Sequence, residues 1–430
     1  MRYRYCAPMA GIVLAVWLVD LGFAEAQTIP AHPTELSYDP LDFTPPTSAE
    51  HRYELSNGVV VFVVEDHELP LVSVSLLVRT GSYLDPADKV GLASLTGSQM
   101  RAGGTTSMSA ADFDEQAAFL AAQIGSSIGG TSGGANLGCL TKDLQVCLDL
   151  FFDMLQNPGF DADRLALAKS QSIQQMQRRN DATRGIEGRE FGRLMRGSEH
   201  FSTSPRTRAT VEAITRDDML AFHRRYYHPG NFILAVSGDV DTEMMLSELE
   251  RRLDGWTVVS DPVPTVPRPE FTPEPGLYLV DKPEVNQGRV SLGHLGTTRD
   301  DPDRYKLLVM NDILGGGGFS ARLLTRVRSD EGLAYSASSS FGVGVYYPGV
   351  FQAGFQSRSE TVARATAIVL EEIDRIRTEP VQEEELRNSI GYFVETFSRN
   401  FSSAGSTAGL FANDEYTGRD PSYLASYRDN

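Results

Sequence analysis

Residues 71–104 read LVSVSLLVRTGSYLDPADKVGLASLTGSQMRAGG, and this stretch decides the fold class because its apolar spacing changes from that of a strand to that of a helix. Apolar and polar residues alternate over 71–79, which is typical of a strand buried on one face. Over 86–102 the spacing is helical, and Gly103-Gly104 ends the predicted helix. A strand followed by a helix is the basic pair of an α+β domain.

The same mixture of strands and helices extends on both sides of this stretch. A hairpin at 52–64 is predicted because Asn57-Gly58 is a strong turn signal between two apolar runs. Ser109, with Asp112 three residues later, is typical of the start of a helix. The remaining predicted elements of the first half are two strands in the glycine-rich stretch 125–138, helices at 142–155, 161–195 and 218–227, and a strand at 232–236.

Six prolines between residues 261 and 275 separate this pattern from a second, similar one. So dense a run excludes a helix or a central strand and predicts a semi-rigid linker. The elements predicted after it are strands at 277–280, 289–294, 335–341 and 350–356, and helices at 303–314, 319–328, 361–377 and 382–397.

The repeated order predicts an α+β fold of two similar domains, each a mostly antiparallel β-sheet packed with α-helices. We expect an N-terminal domain at 51–258, a Pro-rich linker at 259–275 and a C-terminal domain at 276–430. The second copy has no counterpart of residues 218–240, so we expect it to be incomplete.

Composition excludes several classes of function. The chain has 430 residues, 41% of them hydrophobic, which suits about two or three domains with real cores. Its formal net charge of −18 disfavours nucleic acid and anionic membranes as main partners. Three cysteines are too few for a disulfide scaffold, and Cys139 and Cys147 could be free buried thiols or a bridge.

The N-terminus has the pattern of a secretory signal peptide at 1–26. Arg2 and Arg4 precede an apolar run at 10–19, and Ala24-Glu25-Ala26 is typical of a cleavage site. We expect a secreted, periplasmic chain that does not bind membranes after cleavage, with an uncleaved anchor as the alternative. Residues 27–50 are polar and Pro-rich and are predicted to form an extended arm.

Four stretches in this order resemble the insulinase/pitrilysin family of zinc peptidases, and are most similar to its bacterial two-domain members and to the subunits of mitochondrial processing peptidase. The stretches are ELSNGVVVFVVED (54–66), VRTGSYLDPADKVGLAS (78–94), FHRRYYHPGNFILAVSGDVD (222–241) and LGGGGFSARLLTRVRSDEGLAYSASSS (314–340).

The catalytic signature that this resemblance implies is an inverted zinc motif, H-x-x-E-H, after Gly-Leu-Ala. Histidines at i and i+4 hold the ion on one helix face, and the glutamate between them acts as general base. The three working positions here carry Ser94, Gly97 and Ser98, so the motif is degenerate. The family's third ligand, a glutamate, would fall within 169–179, which contains neither Glu nor Asp.

The histidines offer no substitute site. His223 and His228 are five residues apart, or about 140° around a helix, so they cannot share a metal there. We expect both to be surface or capping residues. The sequence therefore predicts no metal or other cofactor in this chain.

The second half retains residues that the resemblance assigns to substrate. The family has an Arg and a Tyr seven residues apart that contact the substrate near the scissile carbonyl, and Arg328 and Tyr335 match them. The alternative is an Arg at a helix C-terminus and a core Tyr. For Gly315, Gly316, Gly317 and Gly318 the resemblance implies a substrate-binding segment, with a plain flexible turn as the alternative.

This pattern predicts a non-catalytic subunit of an insulinase-type zinc metallopeptidase. We expect it to bind an extended, unfolded peptide and to supply Arg328 and Tyr335 in trans to a zinc-bearing catalytic paralogue, with the zinc in that partner. Whether the chain counts as an enzyme therefore depends on the complex. The alternatives are a non-proteolytic scaffold or peptide-binding protein of the same fold, and an autonomous zinc peptidase with an atypical site.

Overall fold

The computed structural model of the chain describes His32, Leu36 and residues 43–429. The predicted leader at 1–26 and nearly all of the predicted arm before residue 43 lie outside these residues. None of the helices in the described part is long and apolar enough to cross a membrane.

Groups of strands and groups of helices follow one another along the described chain, as the sequence predicts. The strands are β1 (Arg52–Glu54), β2 (Val60–Glu65), β3 (Leu71–Val78), β4 (Gln123–Ile128), β5 (Gly133–Leu140), β6 (Phe232–Gly238), β7 (Gln287–Leu295), β8 (Thr297–Thr298), β9 (Ala334–Phe341), β10 (Val343–Gly344) and β11 (Val350–Arg358). The helices are α1 (Leu92–Ala102), α2 (Ala110–Phe119), α3 (Leu144–Gln156), α4 (Ala162–Gln177), α5 (Thr183–Arg196), α6 (Arg208–Ala213), α7 (Arg216–Tyr226), α8 (Thr242–Leu253), α9 (Arg304–Asn311), α10 (Arg322–Leu324), α11 (Val362–Thr378), α12 (Glu383–Thr396), α13 (Ala404–Thr417) and α14 (Tyr423–Ser426).

The first half forms a six-stranded sheet in the order β1-β2-β6-β3-β5-β4. β2 and β6 run parallel, and the other neighbours are antiparallel. The alternation predicted for β3 is confirmed, because Val72, Val74, Leu76 and Val78 are buried in the main core. That core also takes side chains from α1, α3, α7 and α8, so these helices cover one face of the sheet.

The second half forms a smaller, three-stranded antiparallel sheet in the order β7-β11-β9, beside a two-stranded β8-β10 ladder. No helix or strand occurs between Leu253 and Gln287, a segment that includes the proline run. The strand predicted at 277–280 is therefore wrong. The described chain places no strand beside that segment, and a strand needs a hydrogen-bonding neighbour.

Two predicted helices are interrupted. The helix predicted over 161–195 is divided into α4 and α5, because Asn180-Asp181 in the gap favours turns. The helix predicted over 319–328 breaks at Ala321, whose backbone is extended, and it continues past α10 as a π-helical turn, Thr325–Asp330.

Each half sends one helix to the other half's sheet. α13, from the second half, packs against Phe62 of β2 and Ile233 and Ala235 of β6, on the face of the first sheet opposite the main core. α5, from the first half, packs on β7, where Glu187 accepts a hydrogen bond from Ser291 (2.6 Å). The two halves are thus joined by an exchange of helices.

Candidate functional site

The helix that carries the degenerate motif, α1, is fixed at its N-terminus by Asp85. The carboxylate accepts hydrogen bonds from the amides of Gly91 (2.8 Å) and Ala93 (2.7 Å), two donors left free by the helix start. Gly91 has φ +110°, a backbone conformation that favours glycine. Burial raises the pKa of Asp85, although these amide hydrogen bonds act in the opposite direction.

The central motif position, Gly97, lies directly against β4. A Cβ atom at this residue would come within 2.4 Å of the amide nitrogen of Ile128 and 2.7 Å of the carbonyl carbon of Ser127. The Ser126 hydroxyl donates a 2.6 Å hydrogen bond to the Gly97 carbonyl and joins the two backbones. Because β4's backbone cannot give way as a flexible side chain could, this arrangement leaves no room for a glutamate.

The flanking motif positions offer no zinc ligand either. Ser94 is half-buried and Ser98 is exposed, and the Ser98 hydroxyl donates to the Leu95 carbonyl (3.1 Å). Zinc in proteins is bound by thiolate, imidazole and carboxylate groups. Ser94, Gly97 and Ser98 therefore do not fit a zinc ion.

The helix expected to supply the third ligand contains no acidic side chain at the relevant positions. Residues 169–177 belong to α4, and Lys169 donates to the Glu212 carbonyl (3.1 Å). Among residues 43–429 there is no group of three or more His, Cys, Asp or Glu side chains arranged to hold a metal ion.

Arg328 and Tyr335 are brought together, although they stem from different elements. Arg328 lies in the π-helical turn and Tyr335 is the second residue of β9, with the guanidinium carbon 5.0 Å from the ring centroid. Tyr335 is 85% exposed, so it is not a core tyrosine. A cation over an aromatic face is attracted by the ring, which orients the guanidinium without neutralising it.

A third member of this cluster, Phe319, is not identified by the sequence reasoning. Its ring centroid lies 5.1 Å from the Arg328 guanidinium carbon, and its side chain is 80% exposed. The position of this aromatic residue directly after four glycines is the sequence signal that could have identified it. Within the described residues, neither the Arg328 guanidinium nor the Tyr335 hydroxyl has a hydrogen bond or ion pair, so their donors are free to meet a ligand.

The four glycines before Phe319 are not a uniformly flexible turn. A Cβ at Gly315 would meet the Ser339 amide at 2.4 Å, and one at Gly317 would meet the Asp312 carbonyl oxygen at 2.8 Å. Gly318 has φ +68° and open space around it. The run thus packs closely against β9 at its start and becomes free only next to Phe319.

His223 and His228 are buried, so the expectation of surface residues is wrong for both, whereas His228 does occupy the capping position before the short 3₁₀ turn Pro229–Asn231. The His223 Nε2 lies 2.8 Å from the carbonyl of Leu155 near the end of α3, and burial lowers the pKa of His223 to about 4. His228 Nε2 lies 3.1 Å from the side-chain nitrogen of Asn231. Both histidines therefore have structural roles.

Cys139 of β5 and Cys147 of α3 are buried and free. Burial raises the pKa of Cys139 to about 12, so its thiol stays protonated at neutral pH. Neither cysteine adds a ligand or nucleophile to the candidate site.

Comparisons with known proteins find one family in both halves. Residues 60–187 match the family described as "Insulinase (Peptidase family M16)", and residues 213–390 match "Peptidase M16 inactive domain". An uncharacterized zinc protease of Streptomyces coelicolor is 26% identical over 257 residues, which cover 59% of this chain and 56% of that protein. The uncharacterized zinc protease YmxG of Bacillus subtilis is 24% identical over 346 residues, covering 79% of this chain and 81% of that protein.

Solved structures give the same fold. The crystal structure of a peptidase M16 inactive domain from Pseudomonas fluorescens has a TM-score of 0.77, with 24% identity, and covers 88% of this chain and 90% of its own. The chain spans little more than half of the length of the Streptomyces relative.

Proposed function

Because the chain belongs to the M16 (insulinase) family of peptidases, we propose that it is a non-catalytic subunit of a zinc metallopeptidase complex. The observation that carries this proposal is the close contact of Gly97 with β4. A lost histidine alone could be replaced by another ligand, whereas here the position of the general base is closed by main-chain atoms.

The substrate in this proposal is an extended peptide bound beside Tyr335. β9 is the last strand in the order β7-β11-β9, so in the described part of the chain one of its edges has no strand partner. Such an edge can take up a further strand, whose main-chain groups complete the hydrogen-bond ladder. Tyr335 and Phe319 would then contact side chains of the same peptide.

Arg328 and Tyr335 supply hydrogen-bond donors to that peptide in the proposed complex. A guanidinium carries five N–H donors and a phenol one O–H donor, and both suit a carbonyl oxygen that gains negative charge during acyl transfer. The partner is a paralogue that carries the H-x-x-E-H motif and holds the zinc. We further propose that the two meet in an exported compartment, the periplasm in a host with an outer membrane, on the basis of the signal pattern in residues 1–26.

The experiment measures the zinc content of the chain and its peptide turnover, first alone and then mixed with the motif-bearing paralogue. The chain alone should contain much less than one zinc per molecule and should not cleave unstructured peptides. With the motif-bearing paralogue, peptide turnover should rise, and Arg328→Ala or Tyr335→Phe should reduce that turnover by about 10²-fold or more, as expected for loss of a transition-state hydrogen bond.

Matched controls are Arg387→Ala and Tyr392→Phe, two exposed residues of the same types on α12. These two control variants should leave peptide turnover within about twofold of the turnover with the unsubstituted chain. Co-purification of each variant with the partner checks that the complex still forms. Stoichiometric zinc with turnover by the lone chain would refute the proposal. Peptide binding without any effect of Arg328 or Tyr335 on turnover would instead support a non-proteolytic peptide-binding scaffold.

A further inference from the structure

A pocket of about 330 Å³ lies between the two halves of the chain. Each half contributes the turn of a β-hairpin and the end of its exchanged helix: the β4–β5 turn and Arg196 of α5 from the first half, and the turn before β11 and the end of α13 from the second. This volume is at the lower end of the range of about 300–1,000 Å³ that is typical of small-molecule sites. Neither Arg328 nor Tyr335 lines the pocket, so it is separate from the candidate site.

Arg196 is the charged group of this pocket. The other described residues that line it are uncharged, although the chain as a whole has a formal net charge of −18. Within the described residues, the Arg196 side chain has no hydrogen bond or ion pair, and its Nε is buried. Its guanidinium carbon lies 5.8 Å from the ring centroid of Tyr347, a contact that orients the charge without neutralising it. Because buried charges in proteins are normally paired, this guanidinium favours an anionic ligand.

Two further arginines contact residues of the pocket wall. Arg79 donates to the carbonyl of Tyr416 (3.0 Å), and Arg299 donates to the carbonyl of the residue after it (3.0 Å). The charge of Arg299 is partly offset by two carboxylates, those of Asp300 and Asp414, whereas Arg79 has no ion pair in the described part of the chain. Arg79 therefore adds to the positive potential in the pocket, which further favours an anion.

Much of the remaining wall is aromatic or apolar. Its residues of this kind are Leu77, Val345, Tyr346, Tyr347 and Tyr416. The turn that carries three of them has a fixed shape, because a Cβ at Gly344 would collide with the Tyr347 carbonyl oxygen and because β10 pairs with β8. A wall of this kind suits the organic part of a ligand better than it suits an inorganic ion.

We propose that the pocket binds a small organic monocarboxylate, with its carboxylate on Arg196 and its aromatic or apolar body against Tyr346 and Tyr347. A guanidinium donates two parallel N–H bonds to a carboxylate, so the pair has a defined geometry. One unpaired guanidinium balances one negative charge, whereas phosphate sites combine a helix N-terminus or several cations. A free small molecule and the C-terminal residue of a peptide share this chemistry. Such binding is independent of any role of Arg328 and Tyr335 in peptide turnover.

Calorimetric titration with a matched pair of probes tests the carboxylate requirement. N-acetyl-L-phenylalanine should bind at one site with a Kd of about 1 mM or tighter, as expected for a ligand of about fifteen non-hydrogen atoms. N-acetyl-L-phenylalaninamide has the same shape without the charge and should bind at least about tenfold more weakly, and so should inorganic phosphate. The peptide Gly-Ser-Gly-Ser-Phe then distinguishes the two sources: binding as tight as that of the small acid assigns the site to a peptide C-terminus, and weaker binding assigns it to a free small molecule.

Substitution of the arginine gives a second readout. Arg196→Gln should weaken binding of N-acetyl-L-phenylalanine at least about tenfold, because the charged partner of the carboxylate is lost. Arg193→Gln is the matched control, since it removes the same charge from the same helix at a residue that donates to Glu190 (3.4 Å) and lines a different cavity. The control should leave the Kd within about twofold, because a distant exposed charge contributes little.

If Arg196→Gln fails to fold, chemical modification of the unsubstituted protein decides. Phenylglyoxal reacts with accessible guanidinium groups, and mass spectrometry of proteolytic fragments locates the modified residues. At about five times its Kd, N-acetyl-L-phenylalanine should slow modification of Arg196 about sixfold, since only the free protein reacts. The same concentration of the amide should not slow modification of Arg196, and neither probe should slow modification of Arg193.

Three outcomes would overturn the proposal. Equal binding of the acid and the amide would show that the pocket does not recognise a carboxylate. Phosphate that binds as tightly as the acid would show that any anion is accepted. Equal effects of Arg196→Gln and Arg193→Gln, or no binding of the acid up to about 10 mM, would show that Arg196 holds no ligand. None of these outcomes bears on the zinc content of the chain or on turnover with the paralogue, so the two proposals fail separately.

Discussion

At residue 97 the absence of a side chain decides what the helix α1 can do. The main chain of β4 occupies the space that a Cβ atom would need, and the Ser126 hydroxyl bonds the Gly97 carbonyl. A glycine in mid-helix costs about 1 kcal/mol relative to alanine. Here that cost is offset by a helix–strand contact closer than any other residue allows.

Replacing this glycine should therefore destabilise the protein, contrary to helix propensity. Gly97→Ala should lower the free energy of unfolding by about 1–3 kcal/mol, the usual range for overpacking in a core. Gly188→Ala is the matched control, because Gly188 is also within a helix, α5, but has nothing within 4 Å of the position that an added methyl group would take. In the control, the free energy of unfolding should rise by up to about 1 kcal/mol, because alanine has a higher helix propensity than glycine. Urea unfolding measures the free energy of unfolding of both variants. An increase in this free energy for both would show that α1 can move away from β4.

His223 makes stability depend on pH. Burial lowers its pKa from 6.5 to about 4, so in that interval the unfolded chain binds a proton that the folded chain does not. Stability from this residue is therefore complete above about pH 6.5 and falls as the pH drops towards 4, by up to about 1.4 kcal/mol per pH unit.

The change that tests this is His223→Gln, which keeps an N–H donor for the Leu155 carbonyl but does not titrate. The variant should be less stable than wild type at pH 7, and the gap should narrow as the pH falls to about 4.5, within the interval where His223 titrates. Urea midpoints across this range provide the measurement. Parallel curves for the two proteins would mean that His223 is not buried as a neutral ring.

Among the secondary-structure elements, those with a strong local signal were predictable. The alternation of β3 and the Ser109 cap of α2, whose hydroxyl accepts from the Asp112 amide (3.2 Å), are both confirmed. The turn at Asn57-Gly58 lies between β1 and β2 as expected. In each case the information lies within about ten residues of sequence, and no distant contact is needed.

Other elements depend on contacts that sequence patterns do not contain. The apolar run 277–280 has a strand's composition, yet the described chain offers it no neighbour. α13 reads AGSTAGLFANDEYT, in which small and polar residues hide the buried stripe of Ala408, Phe411 and Ala412. Its partner surface is a sheet whose strands lie far away in the chain, so its role becomes visible only in three dimensions.

The features of the candidate site likewise fall into those that the sequence could identify and those that depend on distant contacts. Ser94, Gly97 and Ser98 could be identified only through the family resemblance, since none of them is a residue of the zinc motif, and the same resemblance identified Arg328 with Tyr335. The contact between Gly97 and β4, which blocks the motif position, could not be predicted, because β4 is a separate element and its position against α1 is known only from the structure. Phe319 was missed because its contact with Arg328 depends on the break at Ala321 that turns the chain back.

At the scale of the whole molecule, the exchange of α5 and α13 couples the two sheets. Arg79 of the first half donates to the Tyr416 carbonyl near the end of α13 (3.0 Å), and the Tyr416 hydroxyl donates to the Thr131 carbonyl (2.8 Å). In the second half, the Ser291 hydroxyl of β7 donates a hydrogen bond to the Glu187 carboxylate of α5, which is a helix of the first half. A disturbance under either helix should therefore reach both sheets.

Phe411→Ala tests this coupling. Phe411 is fully buried on α13, with its ring centroid 6.0 Å from that of Phe62 on β2, and truncation of a buried phenylalanine costs about 3–5 kcal/mol. We expect hydrogen exchange to accelerate in β2 and β6 and, to a similar extent, in β11 of the second sheet, since one cooperative unit opens as a whole. Phe119→Ala, at an exposed phenylalanine of α2, should change neither sheet. Exchange that accelerates in the first sheet and stays unchanged in β11 would mean that the two halves unfold separately and that the exchanged helices do not couple them.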